Sequence, residues 1–135
     1  LSQCKALREA YFLKNYSFEN ARRIHTQFEI EDLEKGIPGE LRGKPHSSPS
    51  GIKYCDPGKI YFALNKLENC DDPVLRHILF EWVHPFCDGN GRAGRIILCQ
   101  DTRFDFDEVC AIIGENYIQN LDYFYHNNDI ARYFM

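Results

Sequence analysis

Apolar residues recur at helical spacing over most of this chain, and residues typical of helix starts precede each series. One predicted helix follows Ser17, a good N-cap residue. Two more begin at Asp56-Pro57 and Asp72-Pro73, where aspartate caps the helix and proline takes its first position. The apolar positions expected to be buried are Ala21, Ile24, Phe28, Ile60, Ala63, Leu64, Leu67, Leu75, Ile78, Leu79, Trp82 and Val83. Pro85 predicts that the third helix stops around Val83 or His84.

The C-terminal part of the chain contains a further series of apolar residues at helical spacing. Asp105 and Glu108 are spaced like a capping box. The apolar positions that follow form one helical stripe, composed of Val109, Ile113, Tyr117, Leu121 and Phe124. We interpret this stripe as helix core rather than as an aromatic binding face, because core is the commoner role of such a pattern.

A long loop interrupts the helical pattern between Gly36 and Gly58, where nine of 23 residues are Gly or Pro. Strand signal is limited to short pieces such as residues 51–54. The fold class is therefore mainly α. A length of 135 residues fits one domain over residues 1–135. No apolar run approaches the roughly 18 residues of a membrane span.

Composition and charge narrow the functional classes. A hydrophobic content of 44% is typical of a packed globule. The net charge of -4 argues against a nucleic-acid partner bound through a broad basic face. The six cysteines have no zinc-finger spacing, and we interpret them as reduced, mostly buried thiols. With no signal peptide apparent, the expected location is the cytoplasm, or a host cytosol if the protein is an effector.

Residues 84–95, His-Pro-Phe-Cys-Asp-Gly-Asn-Gly-Arg-Ala-Gly-Arg, carry the candidate chemistry. They form a helix-loop-helix elbow, with a loop over 85–90 and a second helix from about Gly91. Glycines on both sides of Asn90 let the backbone approach a ligand closely. A glycine-rich turn that opens a helix presents free N–H groups and a positive dipole end, which together make an anion site.

The side chains of this segment suit a polyphosphate. Arg92 and Arg95 lie on nearly one helical face and can reach the same phosphate chain. Asp88 would repel phosphate unless a cation such as Mg²⁺ lies between them. His84 is a candidate general base, with Arg92 and Arg95 expected to oppose its protonation. Taken singly, each residue is more often structural, and Phe86 is most simply a hydrophobic anchor of the loop. Together they favour catalysis.

The segment resembles the signature of the Fic family, His-x-Phe-x-Asp/Glu-Gly-Asn-Gly-Arg-x-x-Arg, and matches every specified position. Weaker similarity extends upstream to Ile24-His25, Phe28 and residues 39–42. The resemblance implies an all-α Fic-type helical bundle with a helix-loop-helix active site and a short β-hairpin flap. It also implies transfer of AMP from ATP to a Ser, Thr or Tyr hydroxyl of a target protein.

Carried over by position, the resemblance assigns a role to each motif residue. His84 would deprotonate the target hydroxyl, and Asp88 would hold Mg²⁺ on the α- and β-phosphates. The nucleotide-binding loop that begins at Phe86 would form its phosphate nest at Gly89, Asn90 and Gly91. Arg92 and Arg95 would hold the β- and γ-phosphates. The flap that aligns the target by strand pairing would comprise Gly51, Ile52, Lys53, Tyr54 and Cys55.

Several alternatives remain open at this stage. Related kinases and phosphocholine transferases replace one of the two nest glycines, and both are present here, which favours nucleotidyl transfer. Transfer of another nucleotide or phosphate moiety, hydrolytic removal of AMP, and nucleotide binding without turnover are the rival functions. Many relatives carry an inhibitory helix, Ser/Thr-x-x-x-Glu-Gly/Asn. Residues 111–116 approach that pattern with Glu115, but Ala111 lacks the hydroxyl, so inhibition is expected to come from a separate, antitoxin-like protein or another segment.

Overall fold

The computed structural model describes residues 2–29, 33 and 36–135, and its architecture is mainly helical. This confirms the predicted fold class. The α-helices of the described residues are α1 (Ser2–Leu13), α2 (Phe18–Thr26), α3 (Ile60–Lys66), α4 (Pro73–Val83), α5 (Asn90–Asp101), α6 (Phe106–Ile112) and α7 (Tyr117–Asn127). Short 3₁₀ turns span Pro57–Lys59, Leu67–Asn69 and Ile130–Phe134.

The helices begin largely where capping residues predict. Ser17, Asp72 and Asp105 each accept a hydrogen bond from a backbone amide two or three residues further along the chain. Asp56 instead caps the 3₁₀ turn that starts at Pro57, and α3 begins at Ile60. The aspartate-proline signal therefore finds the turn correctly and places the α-helix three residues early.

The centre of the fold is α5, which packs against α1, α2, α4 and α6. Its side chains from Ile96 to Gln100 are all buried. Of the apolar positions expected in the core, nine are buried, and Leu75, Ile78 and Trp82 are partly buried against the same cluster. Because α4 and α5 are neighbours in this core, the loop that joins them is fixed at both ends.

The C-terminal stripe does not form one helix. The chain leaves the α-conformation at Ile113 and resumes it at Tyr117, with Gly114 between them. Glycine is a poor helix former, so a break costs less here than elsewhere in the stripe. Val109 is buried, whereas Ile113 is only half-buried. Residues 114–116 are exposed. The segment containing Glu115 therefore lies outside the core, although the stripe that spans it was interpreted as helix core.

The predicted β-hairpin flap is not borne out as a pair of strands. Within residues 36–135 the extended pairing consists of two isolated antiparallel bridges, Leu41 with Phe86 and Ser47 with Lys53. The second bridge folds residues 46–54 back on themselves. Pro45 and Pro49 have no backbone N–H to donate, which limits how far a ladder can extend here.

The cysteines are all free thiols, but the expectation that most are buried is wrong. Cys55 and Cys99 are buried, Cys70 is half-buried, and Cys4, Cys87 and Cys110 are exposed. Over residues 2–29, 33 and 36–135, none of the helices combines the length and apolar character that a membrane crossing requires.

Candidate active site

His84 lies immediately after α4, with its backbone in the left-handed region at φ 50° and ψ 58°. The next residue, Pro85, lacks an N–H, so the helix cannot use the carbonyl of Glu81 for its normal backbone bond. That carbonyl accepts a hydrogen bond from the His84 imidazole instead. One ring nitrogen is thereby fixed as the donor, and the other nitrogen of the neutral ring remains an acceptor.

Two aromatic rings from the long loop contact the imidazole of His84. Tyr54 stacks on it, with ring centroids 4.1 Å apart and planes within 8°. His46 meets it edge-on, with centroids 5.5 Å apart. Burial, and then the charges of His46 and Arg42, lower the pKa of His84 to about 4. The ring is therefore neutral near pH 7, as a general base requires.

The source of this pKa shift corrects the expectation from sequence. Arg92 and Arg95 were expected to oppose protonation of His84. Burial is instead the largest cause, and the nearby cationic groups are Arg42 and His46. Arg42 belongs to the weakly matching segment 39–42, for which the sequence indicated no chemical role.

The side chain of Asn90 bridges the loop between α4 and α5 by binding the backbone of Phe86. Its side chain accepts a hydrogen bond from the Phe86 amide and donates one to the Phe86 carbonyl, both 2.8 Å long. Phe86 is completely buried, in agreement with its interpretation as an anchor. Asn90 is only 3% exposed. Its side chain holds the loop conformation, while its backbone amide lies in the first turn of α5.

His25 of α2 holds the same loop from the other side. Its Nδ1 accepts a hydrogen bond from the Gly39 amide at 2.7 Å. Its Nε2 must then carry the proton, and it donates to the Asp88 carbonyl at 2.8 Å. The ring also stacks on Phe86, with centroids 3.8 Å apart. Burial lowers the pKa of His25, which favours the neutral ring that this pair of bonds requires.

Asp88 and Arg92 face each other beside the first turn of α5. One carboxylate oxygen of Asp88 accepts from the Gly89 amide at 2.8 Å, and the other lies 3.7 Å from the Arg92 guanidinium. Arg92 also lies over the ring of Phe28, 5.3 Å from its centroid. A cavity of about 250 Å³ opens at this point. It is lined by His84, Cys87, Asp88, Gly89, Asn90, Gly91, Arg92 and Arg95.

A carboxyl group that the sequence analysis overlooked lies next to Arg95. Glu81, one turn before His84, has a buried Oε1 without a hydrogen-bond partner among the described residues. Burial raises the pKa of Glu81 to about 8, and Arg95 opposes that shift. Its carboxyl lies against Gly94, where an added Cβ would come within 1.8 Å of Oε1. Its place in α4, one turn before His84, was the signal in the sequence that could have pointed to this carboxyl.

A second cavity, of about 380 Å³, adjoins the first and shares His84, Gly91 and Arg95 with it. Its other lining residues are Ser48, Pro49, Ser50, Tyr54, Glu81, Tyr117, Ile118, Leu121, Asp122 and Tyr125. Tyr117 and Leu121 belong to the C-terminal stripe, so their interpretation as core alone is wrong. The Tyr117 hydroxyl donates to His77 at 2.5 Å, and His77 donates to the Gly94 carbonyl at 3.1 Å. This chain of bonds ties α7 to α5.

The structure brings most of the predicted site residues together. Every predicted residue from His84 to Arg95 lines the smaller cavity, apart from the buried anchor Phe86. Of the predicted flap, Tyr54 lines the larger cavity and contacts His84, whereas Gly51, Ile52, Lys53 and Cys55 line neither cavity.

Comparison with known proteins agrees with this geometry. Residues 15–100 match the model of the Fic/DOC family. Over 113 residues the chain is 32% identical to a probable protein adenylyltransferase of Aquifex aeolicus (strain VF5), a match that covers 70% of this chain. The match covers 35% of that relative, so the chain spans about a third of the relative's length.

Proposed function

Because this chain belongs to the Fic/DOC family, we propose that it transfers AMP from ATP to a hydroxyl side chain of a target protein. The observation that carries the proposal is the position of His84. Its neutral ring lies on the rim shared by two cavities, one rich in groups that bind phosphate and the other lined by aromatic side chains. A base at that junction can reach an attacking hydroxyl beside the phosphate that joins nucleoside to leaving group.

The smaller cavity supplies what a triphosphate requires. The first amides of α5 have no partner within the helix, and the helix dipole adds positive potential there. Arg92 and Arg95 add two guanidinium groups. Catalysis of phosphoryl-group transfer depends mainly on positioning and charge stabilisation, which these groups provide.

The larger cavity is suited to the nucleoside. A volume of about 380 Å³ is within the range of small-molecule sites, and its wall is largely aromatic and aliphatic. Tyr54, Tyr117 and Tyr125 offer ring faces for stacking. With the base and sugar there, the α-phosphate lies at the junction beside His84.

Asp88 suits Mg²⁺ held jointly with phosphate oxygens. Among the described residues, no group of three or more His, Cys, Asp or Glu side chains forms a metal site. A single carboxylate is nonetheless the usual protein contribution when phosphates supply the other oxygens. The Asp88 side chain is 31% exposed and faces the smaller cavity. Bound Mg²⁺ would neutralise phosphate charge during transfer.

The reaction follows from these positions. The target hydroxyl oxygen attacks the α-phosphorus, and its proton passes to the acceptor nitrogen of His84. The bond from the α-phosphorus to the bridging oxygen of the β-phosphate breaks, and pyrophosphate leaves. The leaving group gains negative charge as that bond breaks, and Arg92 and Arg95 stabilise it.

The test is a transfer assay in cell lysate with ATP labelled at the α- or the γ-phosphate. Label from the α-position alone supports AMP transfer, whereas label from the γ-position alone indicates a kinase. ATP binding without transfer would mean a binding module. His84→Ala should lower transfer by at least about 10²-fold with ATP affinity nearly unchanged. His126→Ala, which removes an exposed histidine at the end of α7, is the matched control and should retain transfer.

A further inference from the structure

Arg42 is a buried arginine whose partners in the structure are carbonyl oxygens. The residue is 2% exposed and lies in the long loop between α2 and α3. Its hydrogen-bond acceptors are His84 O at 2.5 Å, Lys44 O at 2.8 Å, Cys55 O at 2.5 Å and Val83 O at 3.1 Å. A buried cation is costly unless it is well paired, so this set of bonds is needed to keep the guanidinium in the interior.

These bonds complete the C-terminal end of α4. The last turn of a helix leaves carbonyls without intrahelical partners. The imidazole of His84 donates a hydrogen bond to the Glu81 carbonyl, and the Cys55 amide donates one to the Trp82 carbonyl at 3.3 Å. Arg42 satisfies the carbonyls of Val83 and His84, and its own amide donates to Pro85 at 2.8 Å.

The same bonds reach both sides of the His84 ring. The left-handed backbone of His84 is strained for a residue with a Cβ and persists only if neighbours hold it. Arg42 holds it directly through the His84 carbonyl. Arg42 also binds Cys55, next to the stacked Tyr54, and Lys44, two residues before His46.

We propose that Arg42 is a positioning residue for the transfer reaction, fixing the backbone of His84 and the loop segments that enclose its ring. The proposal rests on the proposed function, because it assigns a role beside the base of that reaction. A base displaced by 1 Å loses much of its effectiveness, so Arg42 would act on the rate of transfer rather than on ATP binding.

The charged and polar groups that face His84 make the proposal measurable. Burial, then electrostatic interaction with His46 and Arg42, lower the pKa of His84, whereas Asp88 and the Glu81 carbonyl raise it. Arg42→Met removes the charge and should therefore raise the pKa of His84. Arg42→Lys keeps the charge but loses the planar set of guanidinium donors, so it should not raise that pKa.

The experiment compares Arg42→Lys with Arg42→Met. Arg76 gives the matched control, because this half-buried arginine also donates to carbonyls, those of Leu67 and Cys70, in addition to the Asp101 carboxylate, and it lines neither cavity. For Arg76→Lys and Arg76→Met the same quantities are measured. They are the His84 titration and ring ¹⁵N shifts by NMR, the rate of label transfer from ATP, the KM for ATP, and urea unfolding.

The expected results separate charge from geometry. Arg42→Met should raise the pKa of His84, while Arg42→Lys leaves it nearly unchanged. Both should lower the transfer rate at least about tenfold, with the KM for ATP changed less than about threefold. The wild-type ring should show one tautomer, and the Arg42→Lys ring a mixture. The Arg76 variants should lose stability only.

Folded Arg42 variants with an unchanged ring tautomer and transfer rate would overturn the proposal, as would an equal loss of rate in the Arg76 variants. If Arg42→Met does not fold, Arg42→Lys decides through its rate and its tautomer. If the wild-type chain transfers nothing, the proposed function fails, but the ring shifts and the His84 titration still show whether Arg42 positions the imidazole.

Discussion

Replacing Gly89 by alanine should destabilise the fold, because two separate costs apply to one methyl group. The backbone of Gly89 has φ +79°, a left-handed conformation that costs an L-residue about 1–2 kcal/mol. The new Cβ would also lie 3.1 Å from Leu33, 3.2 Å from His25 and 3.3 Å from Phe28. Crowding in a packed interior costs about 1–3 kcal/mol. We expect the free energy of unfolding to fall by about 2–5 kcal/mol.

Gly51→Ala is the matched control for this prediction. Gly51 has φ +91°, but an added Cβ would meet nothing within 4 Å, so only the conformational cost applies. Urea unfolding of both variants measures the difference, which reports how tightly the motif loop packs on α2. If Gly89→Ala were no more destabilising than Gly51→Ala, within about 0.5 kcal/mol, the contacts of the loop with His25 and Phe28 would not be as close as described.

Further predictions concern the charged groups of the site. Asp88→Asn should make transfer respond weakly to Mg²⁺, and an unchanged Mg²⁺ titration would mean a structural carboxylate. Arg95→Ala should lower transfer, whereas Glu115→Gly should not activate it; a tenfold rise, about 1.4 kcal/mol, would reveal an inhibitory segment. With the pKa of His84 near 4, kcat/KM should stay nearly flat from pH 7 to 5.5, where a base with an ordinary pKa would lose about tenfold. The folded-state pKa of Glu81 exceeds its ordinary 4.5, so the stability that this carboxyl contributes should be full below pH 4.5 and be lost as the pH rises to about 8; the difference in unfolding free energy between the wild type and Glu81→Gln should therefore shrink over that range.

The local part of the site could be predicted from sequence because its causes are local. A proline disfavours the helical conformation of the residue before it, so Pro85 ends α4. The glycines around Asn90 permit a tight turn before α5. Helix α4 ends at Val83 and α5 begins at Asn90, within one residue of expectation. The helical spacing between Arg92 and Arg95 likewise required only the geometry of one helix.

The surroundings of His84 depend on residues far away in the chain, and no local pattern indicates them. Arg42 and His46 come from the long loop, which has no periodicity that would predict which side chain faces inward. The same limitation explains why the expected flap does not form a hairpin of two strands. The family resemblance implied a hairpin flap at 51–55, where the sequence itself shows only a short strand signal. Pairing also depends on the donors of the opposite segment, and prolines at 45 and 49 remove some of them.

The overlooked carboxyl also changes how the charge of Arg95 is understood. From the sequence, Arg95 was assigned to the phosphates and no carboxylate was named near it, yet Glu81 lies close enough for the two to influence each other. An ionised glutamate there would compete with a phosphate for the guanidinium. Because burial raises the pKa of Glu81 to about 8, its carboxyl is mostly protonated at pH 7 and offers Arg95 little negative charge. Arg95, itself exposed at the rim of both cavities, thus keeps its positive charge available for the triphosphate.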